Sequence, residues 1–135
     1  MRFMMLVKAS AESEAGVLPD EKMLTAMGRY NEEMVKAGVL LDGSGVQASD
    51  KGVRVHFAGG RPSVTDGPFS ETKELVAGYW LIQVKSKAEA VEWAKRVPFV
   101  DGDIEIRQLF ELTDFPPSAA IDHFVELGKR LGKTQ

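Results

Sequence analysis

The chain has 135 residues, 44% of them hydrophobic and 27% charged, with 17 basic against 20 acidic residues for a formal net charge of −3. That length suits one domain with enough chain to bury a core. The slightly acidic balance supplies no electrostatic footprint for nucleic acid and no basic run for a membrane surface. With no cysteine, disulfides, thiolate metal sites and a cysteine nucleophile are excluded. The opening apolar run is too short, and turns acidic too soon, for a signal peptide. No stretch approaches the roughly 20 apolar residues of a membrane span. The expectation is a soluble, cytoplasmic protein.

In chain order, "RFMMLVKA" (2–9) is a nearly continuous apolar run and predicts a strand buried on both faces. "SAESEAGVLP" is loop-like. Asp20 suits an N-cap, and Met23, Met27, Tyr30 and Met34 recur at helical spacing up to a stop at Gly38. That methionine stripe is expected in the core. "VLLDGSGVQ" (39–47) predicts a second strand. "GVRVHFAGGRPSVTDG" predicts a hairpin turning at Gly59-Gly60, with Pro62 on an edge strand. "AGYWLIQVK" (77–85) is a further strand. Ser86 with Glu89 has the capping-box pattern of a helix that Pro98 ends. "DIEIRQLFEL" (103–112) alternates Ile104, Ile106, Phe110 and Leu112 against Glu105, Arg107, Leu109 and Glu111. A tail with Pro116-Pro117 leads into a terminal helix from Ser118 to about Leu131, so the domain is expected over 1–115 with a helical tail over 116–135.

Without the hairpin this order is βαββαβ, the ferredoxin-like split βαβ arrangement of an α+β protein. Its helices cover one sheet face only. The central strands are apolar on both faces, and an uncovered face would expose more apolar surface than monomers usually tolerate. A second copy is the simplest cover, which makes the expected assembly a homodimeric α+β barrel.

Few side chains offer chemistry. His56 and His123 stand in no ligand spacing, so neither a metal site nor a cofactor is expected. Glu105 and Arg107 lie on one strand face about 6.6 Å apart by the rise per residue, and Lys8 ends the first strand. These three can converge. They form either a structural ion pair at a dimer interface or an anchor for a small polar or anionic ligand, with Arg107 offering a bidentate fork. Asp66 opens "DGPF", where Asp, Gly and Pro alone are enough to make a turn, while Phe69 is not needed for one.

"DGPFSETKELVAGYWLIQVKSKAEAVEWAKRVP", with "RFMMLVKA", "YNEEMVKAGVLL" and "IEIRQLFEL" in the same order, resembles the DGPF branch of the YCII-related proteins over residues 1–115. The resemblance implies a ferredoxin-like chain in a dimeric α+β barrel, with a pocket beside each sheet. It also implies a catalytic Asp–His pair, and one branch resembles enzymes that remove chloride from chlorinated hydroxyquinols. The family Asp falls on Asp66, which is therefore expected to face the pocket near Arg107 or Lys8 rather than only to make the turn, but the first helix, residues 21–37, contains no histidine. Two functions follow. One is a small ligand-binding protein with lyase- or hydrolase-like acid–base activity at Asp66, helped by Lys8, Glu105 and Arg107. The other is a non-catalytic dimeric accessory module tied to bacterial stress-responsive transcription.

Overall fold

In the computed structural model, which describes residues 1–133, the first apolar run forms strand β1 (Arg2–Lys8). A short helix α1 (Ala11–Glu14) follows, then α2 (Glu21–Lys36), β2 (Leu40–Gly45), the hairpin strands β3 (Val53–Ala58) and β4 (Arg61–Asp66), and β5 (Val76–Gln83). Helix α3 (Lys87–Lys95), β6 (Ile104–Gln108) and helix α4 (Ala119–Arg130) complete the chain. The main sheet runs β2-β5-β1-β6 with every pairing antiparallel. This is the ferredoxin-like α+β order with β3 and β4 inserted as a separate two-stranded sheet.

Alternation along the strands decides which face meets the helices. Phe3 and Met5 of β1, and Trp80 and Ile82 of β5, are buried under α2 and α3 with Tyr30, Met34, Ala90 and Trp93. Tyr30 sets its ring edge-on to Trp80 at 5.6 Å. Its hydroxyl donates to the Trp93 carbonyl at 2.7 Å, and Trp80 Nε1 donates to Asn31 Oδ1 at 2.8 Å. Among the described residues no buried side-chain nitrogen or oxygen lacks a partner. Burial pushes the Tyr30 phenol up to about 12. Of the methionine stripe, Met34 is fully buried and Met27 packs at the edge of the core.

Three expectations need correction. The segment after Ser10 is not all loop: Ser10 and Ser13 bond each other's backbone N–H groups in a capping box and start α1. At α3 the reciprocal box is only half made. Ser86 Oγ accepts from the Glu89 N–H, but the Glu89 carboxylate turns to the N–H of Lys85. Strand β6 stops at Gln108, since β1 begins at Arg2 and leaves nothing to pair beyond the Leu109 bond to the Arg2 carbonyl. Phe110 is therefore not in the core with Ile104 and Ile106 but 75% exposed, with its ring tilted against that of Phe115 at 5.1 Å.

Candidate functional site

Two places gather chemistry-bearing side chains: the DGPF turn and the sheet face that carries no helix. Gly67 follows the last residue of β4 and passes directly over the turn at Ser49. A Cβ there would lie 1.7 Å from the Ser49 carbonyl oxygen, so only glycine fits. The Gly67 N–H donates to the Gly52 carbonyl at 2.9 Å, and the Gly67–Pro68 bond is cis. The Phe69 N–H donates to Ser49 Oγ at 3.0 Å. Ser49 in turn gives its N–H to Glu14 Oε2 at 2.9 Å and its hydroxyl to Glu14 Oε1. Helix α1 thus braces the turn. Above the Phe69 ring, at 3.7 Å, sits the Arg54 guanidinium, a cation–π contact that accounts for the aromatic.

Asp66 is the last residue of β4, opposite Val53, and it is exposed. Among the described residues its carboxylate accepts no hydrogen bond and joins no ion pair. The turn's N–H groups go to Gly52 and Ser49 instead. Cross-strand pairs share a face, so Asp66 stands on the same hairpin face as Val55, Phe57, Pro62 and Val64.

The helix-free face reads as two rows across the sheet. Asp42, Leu81, Met4 and Arg107 make one, and Ser44, Tyr79, Leu6 and Glu105 the other. The floor is apolar and the rims are polar. Arg107 Nη1 donates to Glu105 Oε2 at 3.2 Å, with the side chains 72% and 45% exposed, so this pair contributes little to stability. Tyr79 donates its hydroxyl to Asp42 Oδ2 at 2.9 Å, and that bond raises the phenol's pKa by opposing an anion beside a carboxylate. Arg2, farther along the face, is held by Glu111 through bonds of 3.0 and 2.9 Å, which raises its pKa and occupies its fork. Lys8 lies past a bulge and gives its ammonium to the Glu74 carbonyl at 3.3 Å. Among the described residues it meets no carboxylate.

Glu105 and Arg107 are therefore brought together on the face with Lys8 at its end, while Asp66 is paired with none of them. Among the described residues no group of three His, Cys, Asp or Glu side chains is placed to hold a metal ion. Sequence reasoning missed Glu14, Ser49, Arg54 and the Asp42–Tyr79 pair. Ser10-x-x-Ser13 was a legible capping signal, but Glu14 meets Ser49 across 35 residues of chain, which no local pattern announces.

The model of the YCII-related domain matches residues 1–113. The chain belongs to the YCII-related family. It is similar to an uncharacterized protein of Rhizobium meliloti (strain 1021), 29% identical over 93 residues that make up 67% of this chain and 75% of that protein. The YCII-related match takes in both rows of the helix-free face and the whole DGPF turn, and it ends before α4 begins. Among the described residues no helix is long and apolar enough to cross a membrane.

Proposed function

We propose that a second copy of the chain closes over the helix-free face, making a dimeric α+β barrel whose interior binds a small polar or anionic ligand at Arg107 and Lys8. One observation carries this reading. Arg107 stands in the row with Met4 and Leu81, Lys8 ends the same β1 strand past its bulge, and among the described residues their side-chain bonds are one 3.2 Å contact to Glu105 and one of 3.3 Å to a backbone carbonyl. Arg2 has the same charge on the same face but is already neutralised by Glu111. Arg107 thus keeps most of its planar fork for a carboxylate or phosphate. A covered face would also strengthen each such bond by excluding water. Asp66 is the acid–base candidate this reading retains. Helix α2 offers no histidine to pair with it, which favours binding over catalysis.

Titration of 15N-labelled protein with inorganic phosphate and, separately, with acetate tests the reading. Saturable shifts at the Arg107 Nε–Hε signal and at neighbouring Met4 are expected, and they should disappear in Arg107→Leu. No saturable shift with either anion, or shifts that persist in Arg107→Leu, would overturn it.

A further inference from the structure

Resting on the dimer just proposed, we infer that two arms of the chain form a reciprocal clasp: the apolar face of the β3–β4 hairpin of one copy lies in a cleft beside α4 of the other. Each arm carries apolar surface that its own chain leaves open. On the hairpin, Val55, Phe57 and Val64 are 51%, 68% and 66% exposed on one face. At the other arm, α4 is amphipathic yet buries no residue. Its inner side and the preceding turn form an open cleft of about 820 Å³ lined by Leu112, Phe115, Ile121, Phe124 and Val125. A space of that size accommodates a group such as Phe57 together with its two valine neighbours.

The surface area favours a second copy as the occupant. The chain exposes 9996 Å², where a compact monomer of 14.8 kDa would expose about 7,000 Å² by the usual scaling of surface with mass. The excess, about 3,000 Å² per chain, is more than enough to supply the about 1,000–2,500 Å² per chain that obligate homodimers bury. A short peptide or a small ligand would cover only a fraction of it.

The placement of the arms explains why the clasp is mutual. The hairpin leaves the sheet where β5 begins, beside Lys8 at the end of β1. The tail leaves at the opposite end, where Leu109 bonds the Arg2 carbonyl. Two sheets packed face to face with their strands running in opposite directions bring the hairpin of each copy beside the α4 arm of the other. A two-fold axis then makes both contacts at once. Because the family match stops at residue 113, α4 lies outside the matched domain, as an addition that would secure this particular dimer.

The cysteine-free chain makes the test clean. Phe57→Cys and Phe124→Cys variants carrying tags of different size are co-expressed, oxidised and run on a non-reducing gel, beside each variant alone. The clasp requires a cross-linked heterodimer band in the mixture and little cross-linking in either variant alone. Phe57–Phe57 or Phe124–Phe124 cross-links, or none while the wild type sediments as a dimer, would overturn the clasp and leave the dimer standing. A wild type that sediments as a monomer would overturn both.

Discussion

Substituting Gly67 by alanine tests how the DGPF turn is held. The added methyl would lie 1.7 Å from the Ser49 carbonyl oxygen and 2.6 Å from its carbon, both backbone atoms that no side-chain rotation can move aside. Either the Ser49 turn shifts or the loop undocks. Undocking loses the Gly67 bond to Gly52 and the Phe69 bond to Ser49 Oγ, each worth about 1 kcal/mol. Staying docked instead costs the strain of overpacking, about 1–3 kcal/mol. Across the two routes the loss is about 1–3 kcal/mol, and at about 4 °C per kcal/mol for a domain of this size Tm should fall by about 4–12 °C. Differential scanning calorimetry measures the drop, and hydrogen exchange at the Phe69 amide reports the docking itself. A Tm within about 2 °C of wild type, with the Phe69 amide still protected, would refute the close-approach explanation of this glycine.

Gly28, in the middle of α2, has nothing within 4 Å of the Cβ it lacks, so Gly28→Ala should stabilise by about 0.5–1 kcal/mol in a urea melt; a destabilised variant would contradict the open space there. The two tyrosines both have phenols raised above their ordinary value of 10.0, Tyr30 to about 12 chiefly by burial and Tyr79 by its bond to Asp42. Because the folded pKa is the higher one, the Tyr30 contribution is fully present below pH 10 and is lost as pH rises towards about 12. Absorbance titration at alkaline pH should show the Tyr30 step near 12 and missing in Tyr30→Phe, and a folded protein with both phenols ionised near pH 10 would contradict it. Asp66→Asn should change stability by under about 0.5 kcal/mol, as for a surface residue without partners; a drop of several degrees in Tm would contradict a carboxylate that bonds to nothing.

The sheet was legible in the sequence because strand alternation and helical spacing are local signals. The apolar runs at 2–9 and 77–85 read as strands from their neighbours alone, though which of their faces is covered did not, and Gly59-Gly60, at φ 57 and 78, turns the hairpin as a tight two-residue loop should. Phe110 misled because its alternation is real, but the partner strand has run out beside it. The candidate site was legible only in pieces. Glu105 and Arg107 are two residues apart on one strand, so their meeting follows from strand geometry. What holds the DGPF turn depends on Glu14, Ser49 and Arg54, which come together through the path of the chain rather than through any spacing. Phe69 needed a partner that only the folded hairpin supplies.

Sedimentation velocity of the wild type beside Leu81→Arg, at micromolar concentration, measures whether a second copy covers the helix-free face. Leu81 lies at the centre of that face between Asp42 and Met4, so an arginine there leaves the helix-side core untouched and places a charge where the partner would pack. The wild type should sediment at twice the 14.8 kDa chain mass, and Leu81→Arg should keep its circular dichroism while sedimenting as a monomer. A monomeric wild type, or a folded Leu81→Arg that remains a dimer, would contradict the covered face and with it the enclosed site at Arg107 and Lys8.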